Sequence, residues 1–225
     1  MTVINNDIQI LVADASHKIY SEQISAEMES SAKIRGTGIA KRSPEYISQK
    51  IEEGKAVIAI KKDKTWVGFC YIETWEGEYV ANSGLIVSPE FRKTGVAKSI
   101  KQKIFELSRK KYPKAKIFGL TTGLPVMKIN SELGYEPVTY SELTKDEAFW
   151  SGCRSCVNFD ILTAKKRENC ICTAMLYDPA NHAPVEEVIK EFEENALLFE
   201  RFMKLKKFKF LNGLFKKSPK SVIKK

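Results

Sequence analysis

The 225-residue sequence lacks several features that would assign it to a class of protein directly. It contains no run of about 18 apolar residues, which argues against a membrane-spanning helix. The N-terminus, Met1 to Asp7, has neither a basic region nor an apolar segment. We therefore expect no secretory signal and predict a cytoplasmic location. In that reducing compartment the five cysteines are expected to be thiols or metal ligands, not disulfides.

Acidic residues are also missing from the end of the chain. The segment 204–225 holds nine lysines and no acid, and these lysines account for the whole net charge of +9. The remainder is neutral, with 28 basic and 28 acidic residues. The basic balance therefore belongs to a tail. We predict a folded domain over 1–178, followed by a C-terminal helix and basic tail over 179–225.

Hydrophobic periodicity and turn signals predict an α/β chain. Strands are predicted at 8–11, 56–61, 66–74, 79–87, 116–121, 136–140 and 171–177, and helices at 16–34, 43–53, 96–112, 125–133, 141–150 and 185–210. The segment from 79 to 121 reads as strand, loop, helix and strand. Such a βαβ unit makes its two strands parallel neighbours in the sheet.

The loop that opens the helix at 96–112 has the character of a phosphate-binding turn. Its sequence is Arg92-Lys-Thr-Gly95-Val-Ala97. The small residues Gly95 and Ala97 let the backbone approach a ligand closely, and the unpaired N–H groups of a helix N-terminus attract anions. Neither the Walker A nor the dinucleotide-binding glycine pattern is present. The loop therefore predicts a pyrophosphate cradle of another kind, with Arg92 and Lys93 as additional cationic donors.

This segment resembles the acyl-CoA loop of the GCN5-related N-acetyltransferase (GNAT) superfamily. The family pattern, Arg/Gln-x-x-Gly-x-Gly/Ala, follows a strand that ends in Val-x-Pro-Glu, and Val87-Ser-Pro-Glu precedes the loop here. Leu133-Gly-Tyr135 matches further downstream, and the element order agrees over roughly residues 8–177. The resemblance implies the GNAT fold, which is a mixed, mostly antiparallel sheet with a central parallel pair. It also implies N-acyl transfer from acetyl-CoA or another acyl-CoA.

The resemblance also assigns residues to the donor site. Two neighbouring strands of the family, here 79–87 and 116–121, splay apart so that the thioester and an amine meet in the gap. The pantetheine arm is expected on Leu85, Ile86 and Val87, and the pyrophosphate on the backbone of Arg92, Lys93, Thr94, Gly95, Val96 and Ala97. The amine then attacks the thioester carbonyl directly, and the enzyme acts mainly by alignment.

The catalytic positions depart from the family pattern. Many members carry a tyrosine as general acid where this chain has Asn130, which cannot release a proton near neutral pH. Two roles are open for Asn130, namely a hydrogen bond to the departing sulfur or pantetheine, or simple helix surface. The usual glutamate of the fourth strand is also missing, since Ala81 and Asn82 occupy its place. Glu73 is the preferred general base and Glu78 the other nearby carboxylate; both can equally be solvated strand ends.

The loop between the first two helices normally walls the acceptor site in this family. Here it contains Arg35 and Arg42, whose guanidinium groups suit bidentate binding of a carboxylate. The predicted acceptor is therefore a small acidic amine. The alternative is a solvated basic loop.

A second resemblance supports the same acceptor. The stretch Glu142-Leu-Thr-Lys, the segment from Phe149 to Phe159 and the pair Ala174-Met175 look like the C-terminal region of short N-acetylglutamate synthase-like acetyltransferases. Those enzymes acylate the α-amine of glutamate at the start of arginine biosynthesis. Acetyl and succinyl donors are not distinguished. Two alternatives remain, namely another small-molecule or protein amine, and a non-catalytic acyl-CoA-binding sensor.

Four of the cysteines form two close pairs, Cys153 with Cys156 and Cys170 with Cys172. Four thiolates around one structural Zn²⁺ is one interpretation, and buried thiols are the other. The pairs can share a metal only if 157–169 is an excursion loop, because a hairpin of 157–162 with 171–176 would separate them. Cys70 is expected in the core.

The sequence of the tail leaves the chemical nature of its partner open. Lysines alternate with Phe, Leu and Met over 202–215. Such a segment suits an anionic membrane or nucleic acid. The other interpretation is a helix that packs on its own domain or on a second copy in a homodimer, followed by lysines.

Overall fold

The structure is a computed structural model that describes residues 7–35, 41–75 and 77–182, with Arg35 described in its backbone only. The chain forms two compact units, Met1–Pro179 and Ala180–Lys225, and the whole described sheet belongs to the first. The helix predicted at 185–210 and the basic tail lie outside the described residues. Within those residues, no helix is both long and apolar enough to cross a membrane.

The described residues form one seven-stranded sheet with helices on both faces. The strands are β1 Ile8–Val12, β2 Ala56–Lys61, β3 Trp66–Trp75, β4 Tyr79–Val87, β5 Lys116–Thr121, β6 Glu136–Val138 and β7 Thr173–Tyr177. The helices are α1 Ser21–Arg35, α2 Pro44–Glu52, α3 Val96–Lys111, α4 Leu124–Glu132, α5 Glu147–Ser151 and α6 Phe159–Ala164. The strand order is β1-β2-β3-β4-β5-β7-β6, and only β4 and β5 run parallel. The predicted fold class is confirmed.

Two apolar layers hold this sheet between helices. Ile100 and Ile104 of α3 are fully buried against one face of the sheet. On the other face lie the helices α1 and α2, which contribute the buried side chains Ile24 and Ile47. The predicted start of α2 is confirmed, since the Ser43 hydroxyl accepts a hydrogen bond from the Tyr46 N–H at 3.3 Å.

The parallel pair separates soon after it forms. Pairing between β4 and β5 covers only Tyr79–Ala81 against Lys116–Phe118, after which β5 pairs with β7 on its other side. A bulge in β4 aids this separation, because the β3–β4 register shifts between Phe69 and Tyr71. The bulge contains Gly84, whose φ is +65°. A wedge-shaped gap thus opens between β4 and β5.

A long excursion between β6 and β7 is the main difference from the predicted elements. The predicted helix at 141–150 is a short turn at Tyr140–Glu142 followed by α5, and the last strand begins at Thr173 instead of 171. The segment 159–164 is helix α6, so the hairpin alternative is wrong and the excursion alternative is right. Trp150 and Leu162 pack this excursion onto the sheet beside Phe118.

Candidate active site

A pocket of about 480 Å³ occupies the gap between β4 and β5. Ala81 to Leu85 of β4 and Phe118 to Thr121 of β5 form its sides. Residues of α3, α4 and the β6–β7 excursion complete the walls. The pocket therefore lies where the sequence predicted that two reactants meet.

Glu73 lies at the point where the two strands separate. It is opposite Ala81 in the β3–β4 register, and Ala81 is itself the last β4 residue paired with β5. The Lys50 Nζ donates to Glu73 Oε2 at 3.0 Å, whereas Oε1 is buried without a partner among the described residues. Burial raises the pKa of Glu73 to about 7, and the charge of Arg42 opposes this rise. The side chain lines the pocket, whereas Glu78 is exposed and does not.

Arg42 places a guanidinium group in the same pocket. Its Nε donates to the Tyr71 hydroxyl at 2.9 Å and its Nη1 to the Lys41 carbonyl at 3.1 Å. The guanidinium carbon lies 5.2 Å from the centre of the Tyr46 ring. Among the described residues no carboxylate lies within ion-pairing distance of Arg42. The group is thus positioned but has no anionic partner there. Nothing is described of the Arg35 side chain.

Asn130 is buried in the pocket wall, with 1% of its surface exposed. The helix-surface interpretation is therefore wrong. Its Nδ2 faces the Met175 sulfur at 3.7 Å, and its Oδ1 is buried with no partner in the described part of the chain. An unpaired buried amide oxygen is costly unless a ligand supplies a donor.

The predicted phosphate loop has the expected backbone geometry. Gly95 adopts a left-handed φ of +89° as the residue before α3. Lys93 is also left-handed, with a φ of +66°. The first N–H groups of α3 have no intrahelical acceptor, because the helix begins at Val96. The backbone in this region can therefore accommodate an anion.

The Arg92 side chain is engaged elsewhere. Its Nη2 donates to Glu27 Oε1 and to Ser31 Oγ, each at 2.8 Å, and its Nε donates to the Val87 carbonyl at 3.1 Å. The guanidinium group thus ties the loop to α1. The Arg92 backbone N–H also has a partner, the Pro89 carbonyl at 3.3 Å, and a contact of Arg92 with the ligand stays a prediction.

The four clustered cysteines all line the pocket. Cys156 Sγ accepts a hydrogen bond from the Asn158 N–H at 3.4 Å. Burial and the neighbouring thiols raise the pKa of Cys172 to about 12 and also raise the pKa of Cys153. No group of three or more His, Cys, Asp or Glu side chains in the described ranges is arranged to hold a metal ion. The structure therefore does not support the zinc site predicted at Cys153, Cys156, Cys170 and Cys172. Cys70 is fully buried in the core, as predicted.

Aromatic side chains form the wall on the excursion side. Phe149 lies 5.1 Å from Trp75 and 5.0 Å from Phe118, measured between ring centres, in edge-to-face geometry. Phe159 lines the same region. This part of the pocket suits an apolar group.

Sequence reasoning missed two lysines at the site. Lys50 holds Glu73, and Lys101 of α3 lines the pocket with only 2% of its surface exposed. A signal for Lys101 was present, because it lies four residues after Ala97 and three before Ile104, on the buried side of an amphipathic helix. Lys50 carried a similar signal, because it lies three residues after Ile47 on the amphipathic helix α2, but its partner Glu73 is distant in sequence.

Comparisons with known proteins agree with this geometry. Residues 25–125 match the model of the acetyltransferase (GNAT) family. The chain is similar to an N-acetylglutamate synthase from Neisseria gonorrhoeae, solved with coenzyme A and N-acetyl-glutamate, with a TM-score of 0.55 and 18% identity over 78% of this chain. It covers 36% of that enzyme's length.

A second similar structure is Rv2747 from Mycobacterium tuberculosis, solved in complex with CoA and NLQ. The TM-score is 0.55 and the identity 16%, over 76% of this chain and 98% of that one. At these identities the likeness establishes the fold. A comparison with curated proteins finds no match.

Proposed function

We propose that the chain carries an acyl-CoA-dependent acetyltransferase domain of the GNAT family, whose model matches residues 25–125, and that it acylates the amine of a small acceptor bearing a carboxylate. The α-amine of glutamate is the first acceptor to test, which would place the reaction in arginine biosynthesis. The donor is acetyl-CoA or succinyl-CoA. The observation that carries this proposal is the presence of Glu73 and Arg42 in the gap between β4 and β5.

The donor occupies the loop and the free edge of β4. The N–H groups of residues 93–97 bind the pyrophosphate, because the Arg92 N–H already donates to the Pro89 carbonyl. Leu85, Ile86 and Val87 pair with the pantetheine arm, because β4 has no strand partner on this side beyond Ala81 in the described sheet. Asn130 contacts the pantetheine, whose amide N–H donates to the Oδ1 atom that the fold leaves unpaired among the described residues.

The acceptor enters from the opposite side of the gap. The Arg42 guanidinium binds its carboxylate as a bidentate pair. Glu73 then removes a proton from the amine as the nitrogen attacks the thioester carbonyl. Alignment of the two reactants supplies most of the acceleration, since effective molarities can lower a barrier by about 7–11 kcal/mol.

The aromatic wall favours a second candidate acceptor. Trp75, Phe118 and Phe149 present apolar ring surface to the pocket. An amine that combines a carboxylate with an aromatic or aliphatic group would fill this region better than glutamate. Aromatic and branched amino acids therefore belong in the same assay.

The test is the loss of thioester absorbance with acetyl-CoA and with succinyl-CoA, each with and without L-glutamate. Thiol-reactive dyes are avoided because the chain has five cysteines. Glutamate-dependent loss with either donor supports the proposal. Loss only with other amines keeps acyl transfer and removes glutamate. Binding of acyl-CoA without turnover of any amine would point to a sensor instead.

A further inference from the structure

Lys101 is a buried basic residue to which the proposed reaction assigns no role. It projects from α3 into the pocket wall with 2% of its surface exposed. Its Nζ donates to the Asn82 carbonyl at 3.4 Å. No carboxylate among the described residues lies within ion-pairing distance of it. A buried ammonium without a counter-ion is costly, so a role in the site is the physical explanation for its presence.

The surroundings of Lys101 hold it in position. The Asn82 amide donates to Ser108 Oγ at 2.7 Å, and the Tyr135 hydroxyl donates to Asn82 Oδ1 at 2.9 Å. The Lys101 Nζ also lies 5.5 Å from the centre of the Tyr135 ring. An ammonium group has three N–H donors, and one of them has a hydrogen-bond acceptor among the described residues. The ammonium group can therefore still donate to a ligand in the pocket.

The position of Lys101 relative to β4 indicates which part of a bound CoA lies next to it. Asn82, its carbonyl partner, is the first β4 residue beyond the last paired residue, Ala81. A pantetheine arm that runs along Leu85–Val87 towards Ala81 therefore brings its sulfur to the level of Asn82. This is also the level of Glu73, which is opposite Ala81.

We propose that Lys101 is a further catalytic residue, whose ammonium group contacts the thioester sulfur and protonates it as CoA leaves. The inference rests on the proposed acyl transfer. It explains how the chain can act with Asn130 in place of a tyrosine acid, because Asn130 has no proton to give.

The step balances as follows. The amine nitrogen forms a bond to the thioester carbonyl carbon, and its proton goes to the Glu73 carboxylate. The carbon–sulfur bond breaks, the electron pair stays on sulfur, and a Lys101 proton converts the thiolate to the CoA thiol. The products are the amide and CoA thiol. Glu73 then returns its proton to solvent, and neutral Lys101 takes one up.

The acidity of Lys101 suits this transfer. An ordinary lysine ammonium group has a pKa of about 10.4, whereas a thiol has a pKa of about 8.5. An ordinary lysine is therefore too weak an acid to protonate a thiolate completely. Burial lowers the pKa of Lys101, and the nearby Cys70 opposes this shift. The titratable groups that face it in the described structure are Cys70 on β3 and Tyr135 after α4, and burial raises the pKa of both. The fold therefore brings the pKa of the Lys101 ammonium group closer to the pKa of the CoA thiol.

The test compares CoA with desulfo-CoA, which lacks the sulfur. We expect Lys101→Met to weaken CoA binding roughly tenfold, as for a lost charge-assisted hydrogen bond, and to leave desulfo-CoA binding unchanged. Lys101→Arg keeps the charge and should retain most of the sulfur preference. Lys103→Met is the matched control, because Lys103 lies on the same helix, is only half-buried and does not line the pocket. Thermal unfolding of each variant checks that it folds.

Turnover supplies the second readout. Lys101→Met should lower kcat with acetyl-CoA by at least tenfold, and Lys101→Arg should not restore it, because a guanidinium group cannot release the proton that the thiolate needs. Equal weakening of CoA and desulfo-CoA, or an unchanged kcat in folded Lys101→Met, would overturn the proposal. If the wild-type chain acylates no amine, the proposed function fails, and the binding comparison still decides whether Lys101 contacts the sulfur.

Discussion

At the scale of single residues, Glu73 has two properties that a general base needs. Its carboxylate is fixed by Lys50 at 3.0 Å while the second oxygen stays unpaired among the described groups. Burial brings its pKa to about 7, close to the pH at which the protein is expected to work. Glu73 must be ionised to accept a proton, so the rate should rise as pH rises through this value.

Replacement of Glu73 by Gln should remove that rise. We expect kcat/KM of the wild type to increase between about pH 6 and pH 8, and Glu73→Gln to lower kcat by about 10²- to 10⁴-fold with a flat profile in this range. The control is Glu78→Gln, because Glu78 is exposed at the end of the same hairpin. A variant at 73 that keeps the wild-type pH profile would contradict the assignment.

Arg42 should act on affinity for the acceptor. Because its guanidinium is oriented by Tyr71 and has no described anionic partner, Arg42→Ala should raise KM for a carboxylate-bearing amine by about 10- to 100-fold. KM for an amine without a carboxylate should stay the same. Initial rates over a range of acceptor concentrations measure both. Equal effects on the two amines would indicate a structural role. Arg109→Ala, at the far end of α3, is the control.

At the scale of elements, the bulge in β4 opens the gap on which the site depends. Gly84 combines a positive φ with a close approach, since a Cβ there would lie 2.3 Å from Tyr71 Cε1. No other residue fits without movement of Tyr71, which also holds Arg42. The bulge therefore couples the donor edge of β4 to the acceptor side of the pocket.

Gly84→Ala should destabilise the protein by about 1–3 kcal/mol more than Gly77→Ala. Both glycines have a positive φ, +65° and +75°, but no described atom lies within 4 Å of a Cβ at Gly77. The comparison thus isolates the part of the destabilisation that comes from the steric clash with Tyr71. Urea denaturation of both variants gives the difference in the free energy of unfolding. Equal destabilisation would show that Tyr71 moves freely.

Local signals predict most elements, and long-range contacts explain the rest. The helix cap at Ser43 and the βαβ unit were predictable from the sequence, because helix starts and crossover connections have characteristic local sequence patterns. The helix predicted at 16–34 begins only at Ser21, because Ala15–Tyr20 forms a tighter turn that leaves Ile19 74% exposed. The engagement of Arg92 with Glu27 could not be predicted, because the two are far apart in sequence.

At the scale of the whole molecule, the four clustered cysteines belong to the excursion between β6 and β7 and are free thiols. Burial holds the pKa of Cys153 and Cys172 above the ordinary thiol value. A metal site would need thiolates at coordinating distance, which the described residues do not provide.

We expect protein purified without a metal-binding tag to contain less than about half an equivalent of zinc per chain. The unfolded, non-reduced protein should react as five free thiols. Elemental analysis and thiol titration measure the two quantities. One full equivalent of zinc that is lost in Cys153→Ser would contradict this account and restore the metal interpretation.

The central claim is that acyl transfer takes place in the gap between β4 and β5. The most direct test is a crystal structure of the chain with CoA. The account predicts the pyrophosphate on the N–H groups of residues 93–97, the pantetheine along Leu85–Val87, and the sulfur within hydrogen-bonding distance of Lys101 Nζ. CoA bound outside this gap, or a sulfur remote from both Lys101 and Glu73, would contradict it.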